Sequence, residues 1–395
     1  MADTLSGPNG LSVLVIFGAG ALYGMERGVI EIFDLLRPDV EPHFLISRTP
    51  RRLSLPIFEE IQRRKFSHTF LSDYNGWERL GKPRSLAIFC KMLVGLLRGN
   101  LDALREVRRH RVLYVPNLYA AYYSLLAMVY CRVTRRRVFY HFHDLLTHPS
   151  LQLRLMSLLV TDFVHNTALG RVELSKANPY VESRHNWIIP YPVRRKSQDT
   201  GARGLSSENG HRSLLFVGQI AKHKGVDILL DAFDTLKESY PELTLNLLGG
   251  CDDELLKQRL QESHDRNGGR AKWWGYRDDV ADFLKQAYVY IHPSPPSIFK
   301  ESFGIGMLEA MSSGVPGVCF RSGGLEEIVI HEQTGLICEG EQPETLAAAI
   351  GRFLSNVQFR NECGEQARRR YQEHYAPSMV KELWLEALND IRENR

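Results

Sequence analysis

The chain has 395 residues, 44% hydrophobic and 24% charged, with a net charge of +4. At roughly 100–200 residues per domain this points to two domains, or three, each with its own core, and it excludes a wholly disordered, collagenous or coiled-coil chain. The six cysteines (Cys90, Cys131, Cys251, Cys319, Cys338, Cys363) are scattered, with no C-x-x-C pair and no Cys/His metal spacing. They read as small buried hydrophobes in a reducing compartment. Charge is uneven: residues 1–200 hold 28 Lys and Arg against 17 Asp and Glu, and residues 201–395 hold 22 against 29. The first half therefore suits an anionic partner, whether nucleic acid, an anionic lipid surface or a phosphorylated substrate.

In chain order, Met1-Ala2-Asp3-Thr4 carries no basic region, so the apolar run Leu11–Leu22 is a poor signal peptide. Leu11–Phe17 reads instead as a buried strand, followed by a glycine loop and a helix from Glu26 to Leu36. Short apolar runs at His43–Ile46, Val112–Val115, Val138–Phe142, Asp162–Val164 and Trp187–Ile189 alternate with helical segments, notably Lys82–Arg109. Val112–Cys131 has no charged residue and a bilayer-crossing length, yet Pro116-Asn117 interrupts it. It reads as a strand and then a helix over Tyr119–Arg132, and no membrane span is expected. Val193–Arg212 is polar, with three glycines and three serines, and reads as a linker. The alternation restarts at Ser213–Val217, with the helix Val226–Tyr240 and strands at Leu243–Leu248, Ala271–Trp274, Tyr288–His292 and Gly317–Phe320. This pattern predicts two doubly wound parallel α/β sheets in tandem. The expected division is residues 1–196, a linker at 197–212, a second domain at 213–374, and a helix at 375–395 that packs back on the first domain.

Open parallel sheets bind ligands at the carboxyl ends of their strands, where glycine loops enter helices. Phe216-Val217-Gly218-Gln219-Ile220-Ala221-Lys222-His223-Lys224-Gly225 is such a loop, and its lysines suit a phosphate or are incidental to a solvated turn. Lys300-Glu301-Ser302-Phe303-Gly304-Ile305-Gly306-Met307-Leu308-Glu309 follows a strand and a proline-rich turn. A continuous helix would separate Glu301 and Glu309 by about 12 Å. That exceeds the roughly 5–9.5 Å of glycoside hydrolase carboxylate pairs and suits gripping two ends of a polyhydroxylated ligand. The bland reading makes Glu301 a helix-start carboxylate and Glu309 a solvated residue.

The E-x7-E spacing, the Glu-Ser-Phe-Gly core, the trailing Ala-Met-Ser-Ser-Gly-Val-Pro and the upstream Val-Gly-x5-Lys-Gly together resemble glycosyltransferase family 4. Ser322-Gly323-Gly324-Leu325-Glu326-Glu327-Ile328-Val329 and Gln333-Thr334-Gly335-Leu336-Ile337 extend the resemblance, which is strong over Ser213–Leu354 and weaker before it. The family implies the GT-B fold, two Rossmann-like domains facing each other across a cleft, and a retaining transfer from a nucleotide-diphosphate sugar. By position it implies that Glu301 meets hydroxyls of the transferred sugar, with Ser302 and backbone N–H groups near Phe303 and Gly304 beside it. Glu309 would take the ribose hydroxyls, Lys224 the diphosphate, Gly218 and Gln219 would line the donor, and Tyr276 would sit near the base. Gln219 stands where the family usually has an arginine. His143, in Tyr140-His141-Phe142-His143-Asp144, matches the active-site histidine, with His141 on the same strand face as the fallback. Gly24, in Gly18-Ala19-Gly20-Ala21-Leu22-Tyr23-Gly24, matches the acceptor and phosphate loop, with Tyr23 in place of a usual glycine.

No D-x-D string occurs, which favours leaving-group stabilisation without a metal, so neither metal nor cofactor is expected. The expected partners are a nucleotide-diphosphate sugar and a glycan or lipid-linked acceptor in bacterial glycan or glycolipid assembly, in the cytoplasm. Residues 51–140 hold 18 basic against 6 acidic residues. Ser85–Arg109 within them either covers its own sheet or docks on an anionic membrane at the inner face of the cell membrane. No nucleic-acid module accompanies the charge. Two other readings fit parts of the sequence. Gly18-x-Gly20-x-x-x-Gly24 with Arg48 approximates an NADP-type site of an oxidoreductase, and Gln219 with Tyr23 would suit an inactive GT-B scaffold serving as a partner subunit.

Overall fold

A computed structural model describes residues 6–7, 10–17, 24–46, 56–71, 86–143, 151–193 and 212–393. The chain divides into two units, Met1–Pro192 together with Val380–Arg395, and Val193–Met379.

The first unit runs β1 (Ser6–Gly7), β2 (Gly10–Phe17), α1 (Gly24–Leu35), β3 (Val40–Ile46), α2 (Pro56–Arg63), β4 (Ser67–Phe70), α3 (Leu86–Val107), β5 (Val112–Val115), α4 (Leu118–Tyr123), α5 (Leu125–Val133), β6 (Arg137–Phe142), α6 (Leu151–Ser157), β7 (Asp162–His165), α7 (Ala168–Ala177) and β8 (His185–Ile188). The sheet order is β4-β3-β2-β5-β6-β7-β8, with β1 pairing antiparallel to β2 and every other pairing parallel. All four residues of β5 and of β7 are buried, because helices cover both faces of a parallel sheet and leave no solvent side to mark by alternation. The core gathers Leu14, Ile16, Leu113, Val115, Val138 and Phe163 from the strands with Ala103, Val107, Ala127 and Met128 from the helices.

Helix α15 (Pro377–Glu393) closes the chain. Its Trp384 is 1% exposed, with its ring centroid 5.8 Å from His141, 6.1 Å from Tyr114 and 6.4 Å from Phe139. Lys381 pairs with Asp39 at 2.8 Å.

The structure departs from the sequence expectations in several places. The helix expected over Tyr119–Arg132 is two, α4 and α5. The Ser124 hydroxyl donates to the Ala120 carbonyl at 2.8 Å, and its own N–H bonds Ala121, tightening the turn and ending α4. The polar edge strand β4 has no hydrophobic signature; His43 of β3 holds it by contacts of 2.7 Å to Ser67 Oγ and 3.1 Å to Thr69 Oγ1. Helix α3 is described only from Leu86, so its expected start at Lys82 lies outside the described residues. The linker lies outside them too, up to Arg212.

The second unit runs β9 (Arg212–Val217), α8 (Val226–Leu236), β10 (Leu243–Leu248), α9 (Glu254–Arg266), β11 (Ala271–Trp273), α10 (Val280–Gln286), β12 (Val289–His292), α11 (Ile305–Ser312), β13 (Gly317–Phe320), α12 (Leu325–Ile328), β14 (Gly335–Cys338), α13 (Pro343–Ser355) and α14 (Val357–His374). Arg212, placed in the linker by its polarity, begins β9. Helix α8 ends at Leu236, short of the expected Tyr240. The sheet is wholly parallel in the order β11-β10-β9-β12-β13-β14. Strand order reverses between β9 and β12, whose carboxyl ends are Val217 and His292. In a doubly wound sheet this is where a ligand crevice forms.

Candidate active site

The loop leaving β9 carries Gly218 and the exposed Gln219, then a 3-10 turn at Lys222–Lys224. Gly225 follows with φ +69°, and a Cβ there would stand 1.8 Å from the Pro293 carbonyl oxygen. Only glycine lets this turn press against the loop that leaves β12. That contact brings Lys224 to Glu301, 77 residues away in sequence: Nζ donates to Oε1 at 2.6 Å. Two further groups reach the same oxygen, His292 Nε2 at 3.0 Å and the Ser294 hydroxyl at 2.6 Å.

The backbone of Glu301 is clamped as well. Its N–H donates to Ser322 Oγ at 3.2 Å, and its carbonyl accepts from Gly324 N–H at 2.7 Å. The side chain is buried. Burial alone would raise its pKa, but the charge and hydrogen bond of His292, then those of Lys224, outweigh it and hold the group well below the usual carboxylate range. Glu301 is an ionised carboxylate. Lys224 also lies 4.3 Å from the centroid of the Phe299 ring.

Helix α11 begins at Ile305, so Glu301 sits on the turn before it and Glu309 inside it. The 12 Å of a continuous helix is therefore not the geometry that separates them, and the contrast with glycoside hydrolase spacing loses its premise. Glu309 is half-buried. Both carboxylates reach one group: burial raises the Tyr290 hydroxyl pKa, and the charges of Glu309 and then Glu301 add to the shift. That hydroxyl donates to the Val217 carbonyl at 3.2 Å, at the end of β9. Among the other expected residues, Ser302 is half-buried, Phe303 and Gly304 are buried at the start of α11, and Gly218 N–H bonds the Leu248 carbonyl at 2.9 Å. Tyr276 is 66% exposed on the loop beyond β11. The sequence reading passed over His292 and Ser294. Their signal was the His-Pro-Ser string at a strand end, just ahead of the glutamate.

In the first unit His143 follows β6 directly and is buried. Tyr191 Oη contacts its Nδ1, and Asn166 Nδ2 approaches the same nitrogen at 3.4 Å. Gly28 on α1 makes room for Tyr191, since a Cβ there would stand 2.2 Å from the ring. The His141 and His143 ring centroids are 3.9 Å apart. Burial takes His141 down to about 3 against the pull of Asn166, and burial with His141 holds His143 well below its ordinary value. Both rings are neutral. Gly24 is the first residue of α1, while Gly18–Tyr23, Arg48 and Asp144 lie outside the described residues. Among the described residues, no group of three or more His, Cys, Asp or Glu is placed to hold a metal ion. No helix among them is long and apolar enough to cross a membrane.

Residues 199–370, which contain the whole Lys224–Glu301 cluster, match the family model described as glycosyl transferases group 1. That segment of the chain matches the family. Over 98% of its length, and 98% of the relative's, it is 24% identical to an N-acetyl-alpha-D-glucosaminyl L-malate synthase of Bacillus anthracis. It is 29% identical to a D-inositol 3-phosphate glycosyltransferase of Corynebacterium urealyticum over 45% of this chain and 42% of that one. An Anabaena protein solved in complex with UDP and glucose matches with a TM-score of 0.74 at 18% identity, over 96% of this chain and all of that one. The fold is GT-B, and both the matched family model and these relatives are glycosyltransferases. The matched segment spans the E-x7-E region, which the oxidoreductase reading left unexplained.

Proposed function

We propose that the chain moves a sugar from a nucleotide-diphosphate sugar to an acceptor hydroxyl with retention of configuration, without a metal, in bacterial glycan or glycolipid assembly. The observation that carries this reading is the ionised Glu301, held by Lys224, His292 and Ser294 at the switch point of the second sheet. All three contacts fall on Oε1, which leaves Oε2 to accept from sugar hydroxyls. Lys224 exchanges part of its carboxylate contact for the diphosphate as negative charge grows on the leaving group. The sugar passes through an oxocarbenium-like state and the acceptor attacks from the face the diphosphate leaves. Electrostatic support of that diphosphate is then the main catalytic term. The UDP and glucose of the Anabaena structure support a nucleotide-sugar donor.

Turnover of a panel of UDP-, GDP-, ADP- and dTDP-sugars, with and without EDTA, tests the reading. Transfer or slow donor hydrolysis that survives EDTA is the expected result, and an inert panel would favour the scaffold alternative. Glu309→Ala should raise donor KM about tenfold or more while changing kcat less, because a ribose contact is present in ground and transition states alike. An unchanged KM would remove Glu309 from the donor site.

The first unit also presents a surface suited to a lipid-linked acceptor. Helix α3 buries Gly99, Asn100, Ala103 and Val107 but exposes Leu93, Val94, Leu97 (61%) and Leu101. On α5, Leu126, Val129 and Val133 (77%) are exposed. Asn100 ties the two helices, accepting from Leu126 N–H at 3.0 Å and donating to the Tyr122 carbonyl at 2.8 Å. Exposed Arg98, Arg105, Arg108, Arg109, Arg132 and Arg135 lie on or beside the same helices. We propose that this face rests on an anionic membrane, apolar residues in the acyl boundary and arginines at the headgroups. Flotation with phosphatidylglycerol vesicles should be strong at low salt, weaker at high salt, and weakened by Leu97→Glu with Val133→Glu. Binding that ignores both salt and lipid charge would overturn it.

A further inference from the structure

Behind His143 lies a string of buried polar groups. The Tyr114 hydroxyl meets His141 Nδ1 at 2.5 Å, His141 Nε2 meets Asn166 Oδ1 at 2.9 Å, and Asn166 Nδ2 meets His143 Nδ1 at 3.4 Å. Tyr114 and His141 are at most 1% exposed, and Asn166 is 6% exposed. His143 Nε2, at the far end, is buried and has no hydrogen-bond partner among the described residues.

The direction of this string follows from what each atom can do. A carboxamide oxygen only accepts, so His141 Nε2 carries the hydrogen. The neutral ring then has a lone pair on Nδ1, which takes the Tyr114 hydroxyl hydrogen. The carboxamide nitrogen only donates, so His143 Nδ1 holds a lone pair, to which the nearer Tyr191 hydroxyl also donates, and the ring hydrogen lies on Nε2. Turning the Asn166 amide over would reverse every step. His141 Nδ1 would then donate to Tyr114, whose own hydrogen would be left in full burial, since His141 Nδ1 is the partner this hydroxyl has among the described residues. That arrangement leaves two buried atoms unmatched among the described residues, the Tyr114 hydrogen and a lone pair on His143 Nε2, where the first leaves only the Nε2–H, so the deep tyrosine sets the direction for the whole string.

We infer that Tyr114, His141 and Asn166 are positioning residues that lock His143 as the Nε2–H tautomer, so that His143 serves the reaction as a fixed hydrogen-bond donor to a substrate oxygen and not as a base. The role in catalysis rests on the glycosyltransferase reading of His143 above; the tautomer does not. A neutral ring with its N–H already aimed needs no rearrangement as charge gathers on that oxygen, which is what makes a preorganised donor effective. As a purely structural residue His143 would leave its buried Nε2–H without an acceptor among the described residues.

The test is the tautomer itself. Ring nitrogen and carbon shifts of His143 in the full-length wild-type protein are expected to report Nε2–H. In Asn166→Asp the carboxylate only accepts, and the Tyr191 hydroxyl can accept as readily as donate, so an Nδ1–H on the neutral His143 ring meets both and the donor at Nε2 is lost. That variant should show the Nδ1–H form and lose about a hundredfold in kcat with little change in donor KM. His143→Gln, which restores an amide N–H donor, should retain more activity than His143→Ala. An Nδ1–H ring in the wild-type protein would overturn the inference without any variant having to fold. So would Asn166→Asp with a switched tautomer and wild-type kcat. Failure of the wild-type enzyme to turn over any sugar nucleotide would strike the functional reading instead, and the ring spectrum is read independently of it.

Discussion

Lys224→Ala is expected to lower kcat by about two orders of magnitude or more, the scale of losing one preorganised donor at a charged transition state. Glu301→Gln should do similar damage. The reason is the shared contact: Nζ and Oε1 are 2.6 Å apart in a site where Glu301 is 9% and Lys224 20% exposed. Removing the cation leaves a buried carboxylate held by His292 and Ser294 and takes away the charge nearest the proposed diphosphate. Replacing the carboxylate frees Lys224 but puts a donor where an acceptor for sugar hydroxyls is needed. If Lys224 served only to hold Glu301, the two substitutions would report one interaction, and Lys224→Ala with Glu301→Gln would cost no more than either alone. If each side chain also meets its own part of the donor, the double variant falls further. Steady-state kcat and donor KM for the three variants decide this, and a near-wild-type rate in Lys224→Ala would remove Lys224 from catalysis.

Mild acid should destabilise the first unit. Burial, with help from His43, takes His110 down to about 4, burial takes His165 to about 4 and His141 to about 3, and His143 lies well below its ordinary value. Each folded value is below the unfolded 6.5, so the unfolded chain binds protons that the folded one refuses. Stability is thus fully present above pH 6.5 and drains away as pH falls from there toward 4. At pH 5 His110, His165 and His141 each oppose folding by about 2 kcal/mol, and His143 acts in the same direction. In the second unit Glu301 is held below the ordinary glutamate range and keeps its contribution through this window, while half-buried His223, lowered by burial and then by Lys224, gives up its own share there. A fall of about ten degrees or more in the lowest calorimetric transition between pH 7.5 and 5 is expected. An unchanged transition would mean that these rings are solvated or charged in the folded protein.

Most of the alternating fold was legible because it is written locally. Buried parallel strands are continuous apolar runs such as Leu11–Phe17 and Val112–Val115, and α8 follows a glycine at the end of one. The family resemblance was legible for a related reason. The Glu301–Glu309 spacing and the Val217–Gly225 loop are short strings whose order along the chain survives without any knowledge of what packs on them. Where local signal was weak, the reading failed. Strand β4 is four polar or half-buried residues, and the break at Ser124 depends on a hydroxyl choosing the carbonyl one turn back.

By itself, then, the sequence determined which segments are strands and helices, which loops carry glycine, lysine and glutamate, and which family its second half resembles. Only the tertiary structure decided which of those groups meet. Strand β12 lies beside β9 although three helices and two strands intervene in the chain, and that neighbourhood sets Lys224, His292 and Ser294 on a single oxygen of Glu301. In the same way β5, β6 and β7 lie side by side and line up Tyr114, His141 and Asn166, so that the hydrogen on His143 is settled by a phenol 29 residues earlier. Propensity and pattern act over a few residues, whereas hydrogen-bond direction and carboxylate charge depend on whichever groups folding brings within about 3 Å.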